Sequence, residues 1–134
     1  MAGAVAVAVA AAWASDQSRA GSLLELAWKH TPEGKVRDGL ALALEISADR
    51  ASEEAAKILG NGSEVTAADT VPFSLWCAAR HPDDYQEALW ATVSALGDRD
   101  TTCAIVGGIV ALSAPSIPAG WLAAREQLPV DNRG

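Results

Sequence analysis

The chain contains 134 residues, half of them hydrophobic, which is enough to build one domain with a sizeable core. Alanine, leucine and valine dominate the aliphatic residues, and the aromatic residues are five tryptophans, one tyrosine and one phenylalanine. Because alanine is the strongest helix former, we expect a single all-α domain over residues 1–134. A net charge of −7 argues against nucleic-acid binding, which needs a basic surface, and we expect a cytoplasmic protein.

The first predicted helix covers residues 3–14 and contains no charged side chain. The segment Ala12-Trp13-Ala14 has the small residues of a signal-peptidase site, but no lysine or arginine precedes the apolar run, as a signal peptide requires. At about a dozen residues, the run is also too short to span a bilayer. We therefore expect a buried helix at the edge of the core and no membrane segment. Since this helix has no polar face for solvent, we expect something else to cover it.

Three further helices are predicted in the first half of the chain. Apolar residues recur at helical spacing over residues 23–30, where Thr31-Pro32 forbids continuation, and again over residues 33–47. Ser52 stands where an N-cap would, before two glutamates, and Gly60-Asn61-Gly62 supplies a C-terminal stop. We expect the fourth helix to be short and exposed.

Proline, aspartate and glycine divide the second half in the same way, and no strand or repeat is predicted. The predicted elements are a helix from Val71-Pro72 to His81, one from Pro82 to Gly97, one beginning at or just after Thr101, and one over residues 118–127. The tail, residues 129–134, is expected to fray. The pair Gly107-Gly108 lies inside the seventh helix at a cost of about 1 kcal/mol per glycine, so we expect a neighbouring helix to approach closely there.

Most other residues with reactive side chains are expected to be structural. Cys77 and Cys103 are too few for a disulfide framework or a zinc site, so we expect core thiols. His30 and His81 have no nucleophile or carboxylate at catalytic spacing, and we assign them no catalytic role. We expect the tryptophans to pack between helices; they are Trp13, Trp28, Trp76, Trp90 and Trp121.

The stretch Leu96–Gly108, LGDRDTTCAIVGG, carries the strongest chemical signal. A hard divalent cation needs several oxygen ligands with enough negative charge to replace its water. Asp98 and Asp100 in a tight loop can direct both carboxylates at one point, and Thr101 adds a neutral oxygen. Gly97 allows a sharp turn ahead of them. The alternative is structural: Asp100 or Thr101 caps the following helix, and Asp98 only occupies the loop.

Four segments in order connect this stretch to a known family. They are Val71-Pro72 with Leu75-Trp76, Asp83-Asp84-Tyr85 with Ala88-Leu89, Gly97 to Thr101, and Ile117-Pro118 with Trp121-Leu122. Together they resemble the C-terminal part of the ADP-ribosylglycohydrolase family, whose members resemble the dinitrogenase-reductase-activating glycohydrolase. The resemblance covers residues 66–129, and the helix over residues 3–14 fits the family's middle helices more loosely.

This resemblance implies a compact, orthogonal multi-helix fold with two Mg²⁺ or Mn²⁺ ions at the bottom of a cleft that accepts ADP-ribose. It implies that Asp98, Asp100 and Thr101 are metal ligands, and it identifies no catalytic residue in this chain. The implied reaction is hydrolysis of the bond between ADP-ribose and a modified amino acid, in a protein or in a small ADP-ribosyl compound. The ions would orient ribose hydroxyls and a water molecule and stabilise developing charge.

The chain departs from the family's pattern in its early elements. Members also carry a Thr-Asp-Asp-Thr-like element that completes the metal pair, a glutamate region and a glycine-rich stretch, and none of these occurs here. We therefore expect the chain to correspond to the C-terminal half of a member, with Met1 an internal methionine or a misjudged start, and to be inactive or nearly inactive alone. The alternative is a non-enzymatic helical module that docks or self-associates through the apolar helix 3–14.

Overall fold

The computed structural model describes residues 1–16, 18–64 and 66–125. Within them the chain forms eight helices and no strand, so the all-α prediction is confirmed. The end of the helix predicted over residues 118–127 and the tail 129–134 lie outside the described residues. The helices are α1 (Ala2–Ser15), α2 (Leu23–His30), α3 (Lys35–Glu45), α4 (Ser52–Leu59), α5 (Ala67–Arg80), α6 (Tyr85–Val93), α7 (Arg99–Ser113) and α8 (Ala119–Ala124).

Helix α5 lies at the centre of the fold. Its residues 70–78 are all buried, including Phe73 and Trp76, and it contacts every helix from α1 to α7. A helix that is apolar on nearly all sides is stable in water only when other helices surround it. The remaining helices therefore pack around α5, and α6 and α7 pack closely against each other.

The prediction that the fifth helix begins at Val71-Pro72 was wrong. The helix begins at Ala67, and the side chain of the N-cap residue Thr66 accepts the Asp69 N–H at 3.2 Å. Pro72 thus lies inside the helix, where it cannot donate to the carbonyl four residues earlier. Burial of the surrounding side chains holds the helix together in spite of the missing hydrogen bond.

Glycines mark the closest helix contacts. A Cβ atom at Gly39 of α3 would lie 2.5 Å from Cγ of Pro72, and one at Gly3 of α1 would lie 2.8 Å from Cβ of Ala67. The expectation for Gly107 is confirmed, because a Cβ atom there would lie 3.2 Å from the Tyr85 hydroxyl oxygen on α6. For Gly108 the expectation was wrong: this residue is exposed, and a Cβ atom there would meet nothing within 4 Å.

Helix α4 differs from its prediction in two ways. Ala51, not Ser52, is the N-cap, and the Ser52 hydroxyl instead accepts a hydrogen bond of 3.1 Å from the Arg80 guanidinium. The helix also buries Ser52, Ala55, Ala56 and Leu59, so it is exposed only on its outer side. The predicted stop is confirmed, since Gly60 follows the helix with φ of 98°.

The tryptophan prediction is confirmed for Trp76, which is 1 % exposed, and for Trp13, which is partly buried and packs against the core. Trp28, Trp90 and Trp121 are exposed, because each lies on the outer face of a short helix. The Arg37 guanidinium covers the Trp28 ring at 4.7 Å from its centroid. Among the thiols, Cys77 is buried as expected and Cys103 is partly buried.

Helix α1 is buried on one face only. Gly3, Ala6, Ala10 and Ala14 are buried, and the helix packs against α2, α5 and α7. On the opposite face Ala4, Ala8 and Ala12 are exposed, so the predicted position at the edge of the core is confirmed, and nothing among the described residues covers this face. No helix among the described residues is long and apolar enough to cross a membrane.

The Gly39 contact predicts an unusual response to alanine. We expect Gly39→Ala to lower the free energy of unfolding by about 1–3 kcal/mol, because the added methyl group would overlap the Pro72 ring. The matched control is Gly108→Ala in open space on α7, where the gain in helix propensity should raise the free energy of unfolding by about 0.5–1 kcal/mol. Urea unfolding of both variants measures the difference. Equal stabilisation by the two substitutions would contradict the close approach of α3 to α5.

Candidate metal centre

The connection between α6 and α7 consists of five residues, 94–98. Leu96 has φ of 61° and Gly97 has φ of 71°, so two consecutive residues lie in the left-handed region. Leucine rarely adopts this conformation, and its side chain here is 61 % exposed. The sharp turn expected at Gly97 is confirmed, and it places Asp98 at the start of α7.

Asp98 is the N-cap of α7. One carboxylate oxygen accepts the Thr101 N–H at 3.2 Å, and the other accepts the Thr101 hydroxyl proton at 2.6 Å. The Asp98 carbonyl accepts the Thr102 N–H at 3.1 Å, which is the first bond of the helix. The predictions that the helix starts at or after Thr101, and that Asp100 or Thr101 caps it, were therefore wrong by two to three residues.

The same two hydrogen bonds favour the ionised form of Asp98. Donation by the Thr101 hydroxyl, and then by the Thr101 N–H, holds the pKa of the Asp98 carboxyl below its ordinary value of 3.8, because both stabilise the ionised form. Asp98 is thus a carboxylate at neutral pH. Asp98 is also partly exposed, so a cation could reach it from solvent.

The first turn of α7 offers three side chains with hard oxygen donors: Asp98, Asp100 and Thr101. Asp100 and Thr101 are exposed, and the Asp100 carboxylate makes no hydrogen bond to another described side chain. A threonine hydroxyl that donates one proton keeps lone pairs for a cation. These donors fit Mg²⁺ or Mn²⁺ in type. They do not fit in number, since the described residues contain no group of three or more histidine, cysteine, aspartate and glutamate side chains able to hold an ion.

A second loop touches this turn from outside α7. The carbonyl oxygen of Asn61, just after α4, accepts the Asp98 N–H at 3.1 Å. The segment Gly60-Asn61-Gly62 was predicted only as the stop of a helix, and its contact with Asp98 was not predicted. The signal available was the pair of glycines around one asparagine, which is typical of a backbone that approaches another chain segment closely.

Asp84, His81 and Cys77 belong to α5, α6 and their ends, and no hydrogen bond among the described residues joins the side chains of any two of them. Asp84 caps α6 by accepting the Glu87 N–H at 3.1 Å, as expected for charge at a helix N-terminus. Burial, followed by the charge of Arg80, lowers the pKa of His81. Burial raises the pKa of the Cys77 thiol to about 12, so this thiol stays protonated and is a poor nucleophile.

Comparison with protein families gives one match. Residues 1–133 match the family described as ADP-ribosylglycohydrolase. The match therefore extends well beyond residues 66–129, on which the resemblance was recognised, and includes helix α1. Comparison with curated proteins and with solved structures gave no match.

The lowered pKa of Asp98 predicts a pH-dependent contribution to stability. A carboxyl whose folded-state pKa is depressed stabilises the fold above its ordinary pKa, and this contribution is lost as the pH falls through the folded-state pKa. We therefore expect Asp98→Asn to lower the melting temperature at pH 6 and to have a smaller effect at about pH 3, because the contribution of the Asp98 carboxylate declines as the pH falls towards its folded-state pKa.

The control is Asp49→Asn, since the exposed Asp49 carboxylate makes no hydrogen bond to another described residue. Thermal unfolding followed by circular dichroism measures both series. A melting-temperature difference for Asp98→Asn that is equal at pH 3 and pH 6 would contradict the depressed pKa.

Proposed function

Because the chain belongs to the ADP-ribosylglycohydrolase family, we propose that it contributes to hydrolysis of the bond between ADP-ribose and a modified amino acid. The substrate would be an ADP-ribosylated protein or a small ADP-ribosyl compound. The observation that carries the proposal is the first turn of α7, where three side-chain oxygen donors occur within four residues and Asp98 is held ionised. We propose Asp98, Asp100 and Thr101 as this chain's ligands for Mg²⁺ or Mn²⁺, in a centre that holds two ions when complete.

Each residue of the turn has a distinct part in this proposal. Thr101 orients the Asp98 carboxylate through its N–H and its hydroxyl, so one ligand is preorganised before any cation arrives. Asp100 supplies the second negative charge, and the Thr101 oxygen supplies a neutral donor. When bound, a divalent cation would supply positive charge that orients ribose hydroxyls and stabilises developing negative charge.

The number of donors limits what the described residues do alone. Mg²⁺ prefers about six oxygen ligands in near-octahedral geometry and gives up its water reluctantly. Three protein oxygens leave the rest of the coordination shell to water, substrate or further protein ligands. We therefore propose that the isolated chain binds the ion weakly and hydrolyses ADP-ribosyl bonds slowly or not at all.

Substitution of one aspartate separates metal binding from helix capping. We expect Asp98→Ala to abolish binding of Mn²⁺, measured as loss of the free-ion signal in electron paramagnetic resonance. Asp84→Ala is the matched control, because Asp84 caps α6 through the same kind of bond but is not followed by an aspartate two residues later. Both substitutions should lower stability, typically by about 1 kcal/mol, and only the first should weaken Mn²⁺ binding.

If Asp98→Ala and Asp84→Ala bind Mn²⁺ equally well, the turn serves as a cap alone and the metal proposal fails. Hydrolysis is tested by release of ADP-ribose from ADP-ribosylated arginine with Mn²⁺ present. The comparison is a longer family member that carries both aspartate elements, which should be much faster. Equal turnover by the two proteins would contradict the proposed dependence on ligands from outside this turn.

A non-enzymatic role has one observation in its favour. The exposed face of α1 consists of alanine and valine side chains, and apolar grooves run along both sides of the helix. The chain carries a net charge of −7, and α1 has no charged side chain, so two copies could meet along this helix without placing like charges in contact. As a second candidate we propose self-association through α1.

A charge on this face tests the second candidate. We expect Ala8→Glu to convert any dimer to monomer, because a carboxylate in an apolar contact would lose its water. Ala111→Glu, at an exposed alanine of α7, is the control and should leave the molecular mass unchanged. Light scattering over a range of protein concentrations measures the mass. A wild-type chain that stays monomeric throughout would exclude self-association through α1.

A further inference from the structure

We draw no further inference here: the strongest candidate, the uncharged outer face of α1 with the apolar grooves along both sides of the helix, is the surface already considered for self-association, and nothing among the described residues shows what else covers it.

Discussion

Burial of α5 on nearly all sides is the constraint on which the rest of the structure depends. Its side chains from Thr70 to Ala78 are inaccessible to water, and helices α1 to α7 reach it. Contacts this close are possible because α3 and α1 present glycines to it. The N-terminal turn of the same helix anchors the loop that contacts Asp98, so the core and the candidate metal centre share one rigid support.

The Asp98 carboxylate combines two tasks that are often separate. It caps α7, and it is the ligand proposed for a divalent cation. The tasks are compatible, because a carboxylate has about four lone-pair positions and Thr101 occupies two of them. The Thr101 hydroxyl donates its only proton to Asp98, which leaves its own lone pairs directed elsewhere. Capping therefore orients both Asp98 carboxylate oxygens and leaves lone pairs on each that could bind a cation.

Sequence patterns predicted the helices best where one local signal decided the boundary. The bounds of α2 follow from Thr31-Pro32, and the end of α4 follows from Gly60. The start of α5 was misplaced because proline was interpreted by its local preference, whereas tertiary burial tolerates Pro72 in mid-helix. The wrong cap of α7 has a similar cause, since Asp98, Asp100 and Thr101 all have suitable side chains and local pattern cannot choose among them.

The sequence supplied the candidate residues of the site, which remain a prediction, but not the contacts that surround them in the fold. The motif around Asp98 identified the donors through family resemblance, and the family match agrees with that origin. The contact with Asn61 joins two loops far apart in sequence, and no local pattern encodes such a pairing. In the sequence, this contact is indicated only by the glycines on each side of it.

The fourteen residues of α1 carry no ionic side chain, with no acidic residue in the first turn and no basic residue in the last. Its outer surface therefore has no pattern of charges that would fix the direction of a second helix packed against it. A second helix laid along the alanine and valine ridge would find similar contacts whether it ran parallel or antiparallel to α1, and a shift by one turn would cost little. Charged side chains near this surface would have to come from the neighbouring loops. There, Arg19 lies over the Trp13 ring and forms an ion pair with the Asp83 carboxylate.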